Sequence, residues 1–167
     1  MQDEPNRLIR EFLDPLRVPT DREIGKILNH VAKAPFRSGR IRVDEDLLVA
    51  VFSGRTLDKR EPSLTVHLAK RVVVEEQWAI GTTEEQYVAD LHSIVDDAEL
   101  RMVVYRSRDG QCKLGLLAPN RLPRERLGGN SEKLLWVVYS ANYGTITTGY
   151  QVSSVDRITI PKGARWL

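Results

Sequence analysis

The chain has 167 residues, of which 41% are hydrophobic and 29% are charged, and its net charge at pH 7 is +2. These proportions are typical of a globular domain and exclude a collagen-like, fibrous or disordered chain. The small positive charge is compatible with a nucleic-acid partner but does not indicate one. The single cysteine, Cys112, excludes an internal disulfide, and the three histidines show no metal-ligand spacing, so we expect neither a metal nor a cofactor.

No feature of the chain predicts an association with membranes. No apolar run approaches the roughly 20 residues that a membrane span needs. The N-terminal sequence MQDEPNRLIREF also lacks the basic segment and the following apolar segment of a signal peptide. We therefore expect a soluble protein that acts in the cytoplasm, or a fragment cut from a longer chain.

Two helices are predicted in the first 60 residues. Thr20 and Glu23 have the spacing of a capping box, in which each side chain pairs with a free backbone N–H at a helix start. Apolar residues then recur at helical spacing, which predicts a helix over 21–33. A shorter helix is expected over 44–52, with Gly54 as its end. We interpret residues 1–60 as a helical extension that precedes the main domain, residues 61–167.

Two more helices are expected before residue 100. Residues 63–76 carry an apolar stripe that favours a helix, although the three valines at 72–74 would also suit a strand. A second capping-box pattern, Thr82 with Glu85, precedes apolar residues at helical spacing and predicts a helix that ends near Asp96.

The pattern changes to strands after residue 100. The segments RMVVYRS and QCKLGLLA flank Asp109-Gly110, a pair that favours a hairpin turn. The segments KLLWVVYS and ANYGTITTGYQVS predict a second strand pair joined near residues 142–144, and the tail is expected either to add a short strand or to pack against the domain. Helices followed by a four-stranded or larger antiparallel sheet define an α+β fold.

Positive charge is concentrated between residues 101 and 133, a segment that contains eight basic residues and three acidic residues. Such a segment could contact a polyanion. A solvated loop of mixed charge is the alternative, because arginine-rich loops are common on protein surfaces.

His67 and Arg71 are the first candidates for chemistry. The chain contains no phosphate-binding glycine loop, no zinc-protease motif and no nucleophile elbow, which leaves acid–base and electrostatic chemistry. On a helix these two residues project from one face, one turn apart, and a phosphate is an anion that both could bind. The alternative is a surface histidine beside a surface arginine.

The order of motifs resembles the phage and polymorphic-toxin branch of the barnase, EndoU, colicin and RelE-like nucleases. A first helix with a histidine and a basic residue matches His67 and Arg71, and the segment TTEEQYVADLHSIV matches the second helix. The terminal strand ITTGY, residues 146–150, is similar to the family's ITAY-like motif, with Thr148 at the threonine position and Tyr150 at the aromatic position. Gly149 replaces the expected alanine. The resemblance covers roughly residues 63–152.

The resemblance implies a metal-independent ribonuclease, most simply a toxin domain, in which the ribose 2′-hydroxyl attacks the adjacent phosphorus. His67 would act as acid or base, Arg71 would hold the phosphate, and Thr148 would bind a phosphate oxygen or orient His67. RNA is the expected substrate, and an acidic immunity protein is an expected partner.

Additional substrate-binding residues are expected on the first hairpin and the last strand. Tyr105 and Arg106 are neighbours on one strand, so they point to opposite faces and only one of them can line a cleft. Lys113 on the paired strand and Tyr150 complete the set. A core position for Tyr105 and solvated edges for Arg106 and Lys113 are the structural alternatives.

A non-catalytic function remains the main alternative to the nuclease. The chain could be a nucleic-acid-binding or protein-binding module, such as an immunity protein or a phage accessory factor, that binds its partner through the basic segment 101–133. Binding of RNA without cleavage would distinguish this function from the nuclease.

Overall fold

The computed structural model describes residues 3–167 of the chain, which form five α-helices and nine strands. The helices are α1 (Glu4–Glu11), α2 (Asp21–Val31), α3 (Glu45–Leu48), α4 (Ser63–Ala69) and α5 (Glu84–His92). The strands of the first half are β1 (Arg40–Arg42), β2 (Val51–Phe52), β3 (Arg55–Thr56) and β4 (Arg60–Pro62). The strands of the second half are β5 (Arg101–Arg106), β6 (Cys112–Pro119), β7 (Leu134–Ser140), β8 (Thr145–Val152) and β9 (Arg165–Trp166).

The second half of the chain forms a five-stranded antiparallel sheet in the order β8-β7-β6-β5-β9. The predicted α+β class, with helices followed by an antiparallel sheet, is confirmed. The predicted hairpins 101–118 and 134–152 form β5–β6 and β7–β8, and the tail adds β9 beside β5. Strand β8 is therefore an edge of the sheet.

The predicted helices over 21–33 and 63–76 are confirmed with small adjustments. Thr20 and Glu23 form the expected capping box at the start of α2. Helix α4 ends at Ala69 and continues as a π-helical segment, Lys70–Val74, so the valine run is helical. Helix α1 was not predicted, since Pro5 and a short polar sequence obscure its apolar stripe.

Two predictions in the helical half are wrong in detail. The expected helix over 44–52 ends at Leu48, and residues 51–56 form the hairpin β2–β3. Ser53 and Gly54 both have positive φ, as a two-residue hairpin turn requires, so Gly54 belongs to this turn and does not end a helix. The capping box of α5 uses Thr83 with Gln86, because the Thr82 hydroxyl instead donates to the carbonyl of Ala79.

The helices and one face of the sheet share a single hydrophobic core. Residues from before position 60, including Ile9, Phe12 and Ile27, belong to the same buried cluster as Leu114 and Val137 of the sheet. Strand β1 also pairs with β4 across the boundary expected at residue 60. The first 60 residues are thus packed into the fold of the remainder.

The other face of the sheet is covered only in part. Its apolar side chains form a second cluster with Ile158, Ile160 and Trp166 of the C-terminal segment. Within this cluster the Trp136 ring lies over Gly115, where a Cβ atom would be 2.0 Å from the ring. Lys113 and Thr145 lie on this face, at the end of the sheet beyond the cluster.

The free edge of β8 is paired with other parts of the chain. Phe36 forms a parallel bridge with Ile146, whose carbonyl accepts from the backbone N–H of Arg37 at 2.7 Å. Further along, the Gln77 side-chain amide pairs with the backbone of Gln151, accepting from its N–H at 2.8 Å and donating to its carbonyl at 2.9 Å. Pairing of this kind protects an edge strand from association with other chains.

Gly149 is required by the close approach of β8 to α5. A Cβ atom at Gly149 would lie 2.3 Å from Cδ2 of Leu91, a fully buried side chain. We expect Gly149→Ala to destabilise the protein by about 1–3 kcal/mol through overpacking. Gly25→Ala in α2 is the matched control, since nothing lies within 4 Å of its added Cβ and alanine favours a helix. Urea denaturation measures both changes, and equal stability of the two variants would contradict the prediction.

Candidate functional site

The candidate site lies where α4 and the π-helical segment meet the edge of β8. His67 lies on α4, and Arg71 lies in the π-helical segment one turn later. Their neighbours Leu68, Ala69 and Val72 are buried in the main core, which fixes the helix against the sheet. The chain therefore brings two residues of its middle next to Thr148 of β8, as the sequence predicted.

Thr148 connects the other two residues. Its hydroxyl oxygen accepts a hydrogen bond from Nη2 of Arg71 at 3.0 Å and lies 3.2 Å from Nδ1 of His67. Two arrangements satisfy both contacts. Either Thr148 donates its hydrogen to Nδ1 and the ring proton of His67 is on Nε2, or the hydroxyl accepts from Nδ1–H as well and the lone pair of Nε2 is free.

Arg71 is almost completely engaged by protein groups, and only 6% of its surface is exposed. Its Nε donates to the carbonyl of Gly149 at 2.9 Å, and its Nη1 donates to the carboxylate of Glu75 at 2.9 Å. The guanidinium also lies over the Tyr150 ring, 5.1 Å from the ring centroid. These contacts hold Arg71 in place and leave little of it available to a ligand.

His67 is held in a neutral state by its surroundings. Its ring packs edge-on against Phe36, with 5.3 Å between centroids. Burial, followed by the positive charges of Arg71, Lys70 and Arg37, lowers the pKa of His67 to about 3. No described residue pairs with Nε2, and this atom is not among the buried unpaired ones, so it contacts solvent.

The two tyrosines predicted at the site lie on the partly covered face of the sheet. Tyr105 is buried in the second cluster, and burial raises its pKa to about 12. Tyr150 packs against the same cluster, and burial raises its pKa also. Tyr150 reaches the cluster of His67, Arg71 and Thr148 through its stacking with Arg71, whereas Tyr105 is a core residue with restricted access.

The two predicted basic residues of the hairpin are separated by the sheet. Arg106 is paired with Cys112, whose side chain belongs to the helical core, and its Nη1 donates to the carbonyl of Gly110 at 2.9 Å. It is not brought together with the other residues. Lys113 lies on the opposite face, half-buried, where it lines a cleft with Arg37 and Thr147.

Arg37 is the basic residue near His67 that sequence reasoning missed. It is exposed and comes from the segment between α2 and β1. Its position follows from the parallel bridge of the preceding residue to β8, a long-range pairing with no local sequence signal.

The basic segment 101–133 does not present one continuous positive surface. Arg121 pairs with Asp97 at 2.8 Å and also with Glu99. Arg126 pairs with the buried Asp90 at 2.9 Å. Two of the eight basic residues of the segment are therefore neutralised by acidic partners within the protein.

A larger groove, of about 930 Å³, lies away from the His67 cluster. It is lined by apolar side chains such as Val51 and Ile80, and by the carboxylates of Glu76, Glu84 and Glu85. Because these charges repel phosphates, the groove is not suited to a polyanion. The smaller cleft beside Lys113 has two cations and one carboxylate in its lining, a charge that is compatible with a nucleic acid.

Within residues 3–167, no group of three or more histidine, cysteine, aspartate or glutamate side chains is placed to hold a metal ion. Over the same residues, no helix has both the length and the apolar character needed to cross a bilayer. Comparison of the chain with protein-family models, curated proteins and solved structures finds no match. Functional inference therefore depends on the residues and their geometry.

The low pKa of His67 predicts a specific loss of stability in mild acid. The unfolded chain binds a proton at this histidine near pH 6.5, whereas the folded chain resists it until about pH 3. Stability is therefore lost as the pH falls below about 6.5. We expect His67→Gln to remove about 1–2 kcal/mol of the loss between pH 6.5 and 4.5, measured by urea denaturation.

Between pH 6.5 and 4.5 the effect of His67 on stability can be distinguished from the effects of the paired carboxylates. Hydrogen bonds from Arg55 lower the pKa of Glu61 from 4.5 to about 2, so the stability contributed by Glu61 is lost only as the pH falls through that lower range. Identical pH dependence of wild type and His67→Gln above pH 4.5 would show that His67 is not held neutral.

Proposed function

We propose that the protein is a metal-independent endoribonuclease in which His67 is the general base. The observation that carries this proposal is the convergence of His67, Arg71 and Thr148, three side chains up to 81 positions apart, in one hydrogen-bonded cluster beside solvent. Histidine is the side chain best suited to proton transfer near neutral pH, and its orientation by a second group is typical of catalytic bases.

In the proposed reaction, the ribose 2′-oxygen forms a bond to the adjacent phosphorus and the bond from phosphorus to the 5′-oxygen breaks. Nε2 of His67 takes the proton of the 2′-hydroxyl, and solvent supplies a proton to the departing 5′-oxygen. This role requires the tautomer in which Nδ1–H donates to Thr148, because only that tautomer leaves the lone pair of Nε2 free.

The low pKa of His67 is consistent with a base that becomes stronger when the substrate binds. A base whose pKa is about 3 is weak at neutral pH. A phosphodiester bound beside the ring would stabilise the imidazolium ion and raise this pKa. In the free enzyme the histidine is neutral and can accept a proton. Its pKa rises once RNA is bound, so it becomes a stronger base.

Arg71 has a positioning role in this proposal, which differs from the phosphate-binding role that the resemblance implies. Each of its three nitrogens donates to a protein acceptor, namely Gly149, Glu75 or Thr148, and the side chain is buried. It fixes the Thr148 hydroxyl, which in turn orients the ring of His67. The more exposed cations nearby would then contact the substrate phosphate.

A binding module without catalysis is the second candidate function. The observation in its favour is the burial of Arg71 against Gly149, Glu75 and Thr148, which restricts the cation most directly placed to stabilise a transition state. The two functions differ in whether RNA is cut.

The first test is RNA cleavage in EDTA. We expect wild type to generate fragments that end in a 2′,3′-cyclic phosphate, and His67→Gln to cut at least about 100-fold more slowly, as is typical for loss of a general base. Expression in bacteria should inhibit growth, as expected for a toxin domain, and His67→Gln should relieve this inhibition.

His92→Gln is the matched control for this test. His92 lies on α5 and its Nε2 contacts the carbonyl of Ala34 at 2.7 Å, a contact that a glutamine amide can replace. This variant should retain full cleavage. Undiminished cleavage by a folded His67→Gln variant would exclude His67 as the base, and intact RNA that is bound by wild type would favour the binding module.

The bridging hydroxyl gives an independent prediction. Thr148→Ser keeps the hydroxyl and should retain most of the activity, whereas the isosteric Thr148→Val leaves an Arg71 donor unpaired and should cost about 1–3 kcal/mol of stability. Thr148→Val should also lower kcat more than it changes KM, since it disturbs the orientation of His67. Steady-state kinetics measures this difference, and equal activity of the two variants would contradict it.

A further inference from the structure

A small cleft adjoins the His67 cluster along the same strand edge. It has a volume of about 450 Å³ and its lining includes Arg37, Lys113, Thr145 and Thr147. It opens on the face of the sheet that carries Lys113, at the end that the C-terminal segment does not cover.

Two cations in this cleft have no acidic partner. The Arg37 and Lys113 side chains form no ion pair or hydrogen bond with any of residues 3–167. Burial lowers the pKa of Lys113, the charge of Asp109 opposes this effect, and the charge of Arg37 lowers the pKa further, so the two cations are close enough to repel each other. An anion between them would relieve this repulsion.

Asp109 is the one carboxylate in the lining, and it is already engaged. It accepts from the hydroxyl of Ser107 and from Nε2 of Gln111, the latter at 2.9 Å. It weakens the positive field without forming an ion pair with Lys113. The cleft therefore keeps an excess of positive charge.

The position of Arg37 is fixed by its backbone. The Arg37 N–H donates to the carbonyl of Ile146, and the preceding Phe36 is buried in the helical core beside His67. Because successive side chains of an extended segment alternate, Arg37 points away from Phe36, toward the face that carries Lys113.

The cleft also contains an unused polar group. The Thr145 hydroxyl is buried and has no hydrogen-bond partner within the described chain. Buried polar groups are nearly always paired, so this unpaired hydroxyl is a candidate donor to an anion that enters the cleft. A phosphate oxygen would satisfy it, since a hydroxyl donates readily to an anion.

We propose that this cleft binds a backbone phosphate of single-stranded RNA next to the phosphodiester handled at His67. Arg37 and Lys113 supply the charge, and Thr145 donates a hydrogen bond. This inference rests on the proposed ribonuclease function and deepens it by identifying a second phosphate subsite.

The geometry along β8 suits two neighbouring phosphates. Arg37 lies beside Ile146, and His67 contacts Thr148, two residues further along the strand. Two residues of a regular strand span about 7 Å, and β8 has a register irregularity at Thr147 between these two points. A chain of nucleotides that follows the edge would meet Arg37 and then His67.

The test is binding of a 2′-O-methyl oligoribonucleotide, which has no free 2′-hydroxyl and therefore cannot be cleaved by this mechanism. Fluorescence anisotropy is measured over a range of salt concentrations. We expect Arg37→Gln and Lys113→Gln each to weaken binding, and each to reduce the slope of log affinity against log salt by about 0.7, the value for one lost phosphate contact on a single strand.

Arg22→Gln is the matched control, because Arg22 is an exposed arginine of α2 outside the cleft. It should bind as wild type does. Equal losses in all three variants would show general attraction of a polyanion, and unchanged binding in the two cleft variants would show that the cleft is not used. Either result overturns the proposal. Thermal denaturation verifies that each variant is folded.

The two proposals fail in different experiments. Because the oligonucleotide cannot be cleaved, its binding does not depend on His67 as a base. Cleavage by His67→Gln at the wild-type rate removes the catalytic proposal and leaves the binding result to stand. Wild-type binding by the cleft variants removes the subsite and leaves the cleavage result to stand.

Discussion

The contact of Arg71 with the edge of β8 is the interaction on which the candidate site depends. A buried guanidinium is costly unless its donors are paired, and here three acceptors and an aromatic ring surround it. Two of these acceptors belong to β8, so the π-helical segment can take only one position along the strand. That position places His67 beside Thr148.

The same contact contributes to the electrostatics of the site. Burial is the largest cause that lowers the pKa of His67, and the positive charge of Arg71 acts in the same direction. A neutral imidazole is the result. The arginine therefore contributes to the proposed chemistry by orienting a hydroxyl and by keeping the histidine unprotonated, while phosphate binding is left to cations at the surface.

Much of the fold could be predicted from local patterns, because helix caps, hairpin turns and apolar periodicity are properties of neighbouring residues. The capping box at Thr20 and the hairpin at Gly110 illustrate this success. The pattern could not decide between Thr82 and Thr83, since both are followed three residues later by Glu or Gln. The choice depends on the turn before α5, in which the Thr82 hydroxyl is used.

The candidate site was predictable only where a motif order pointed to it. His67, Arg71 and Thr148 converge as expected, but the engagement of Arg71 depends on Gly149 and Glu75, whose roles follow from the register between helix and strand. The packing requirement for glycine at position 149 was also not predicted. In the sequence it resembles a small-for-small replacement of alanine, whereas the packing of Leu91 leaves no space for a methyl group.

The first 60 residues contribute to the candidate site in a way that their sequence does not predict. Segment 35–37 adds a short parallel pairing to β8, and the two side chains it contributes lie on opposite sides of the strand edge. Phe36 packs against His67 and contributes to its burial, while the charge of Arg37 lowers the pKa of both His67 and Lys113. The basicity of the proposed catalytic histidine is thus set in part by a segment that lies outside residues 63–152. Removal of that segment would expose the ring of His67 and the edge of β8 together, so the N-terminal region and the candidate site form one structural unit.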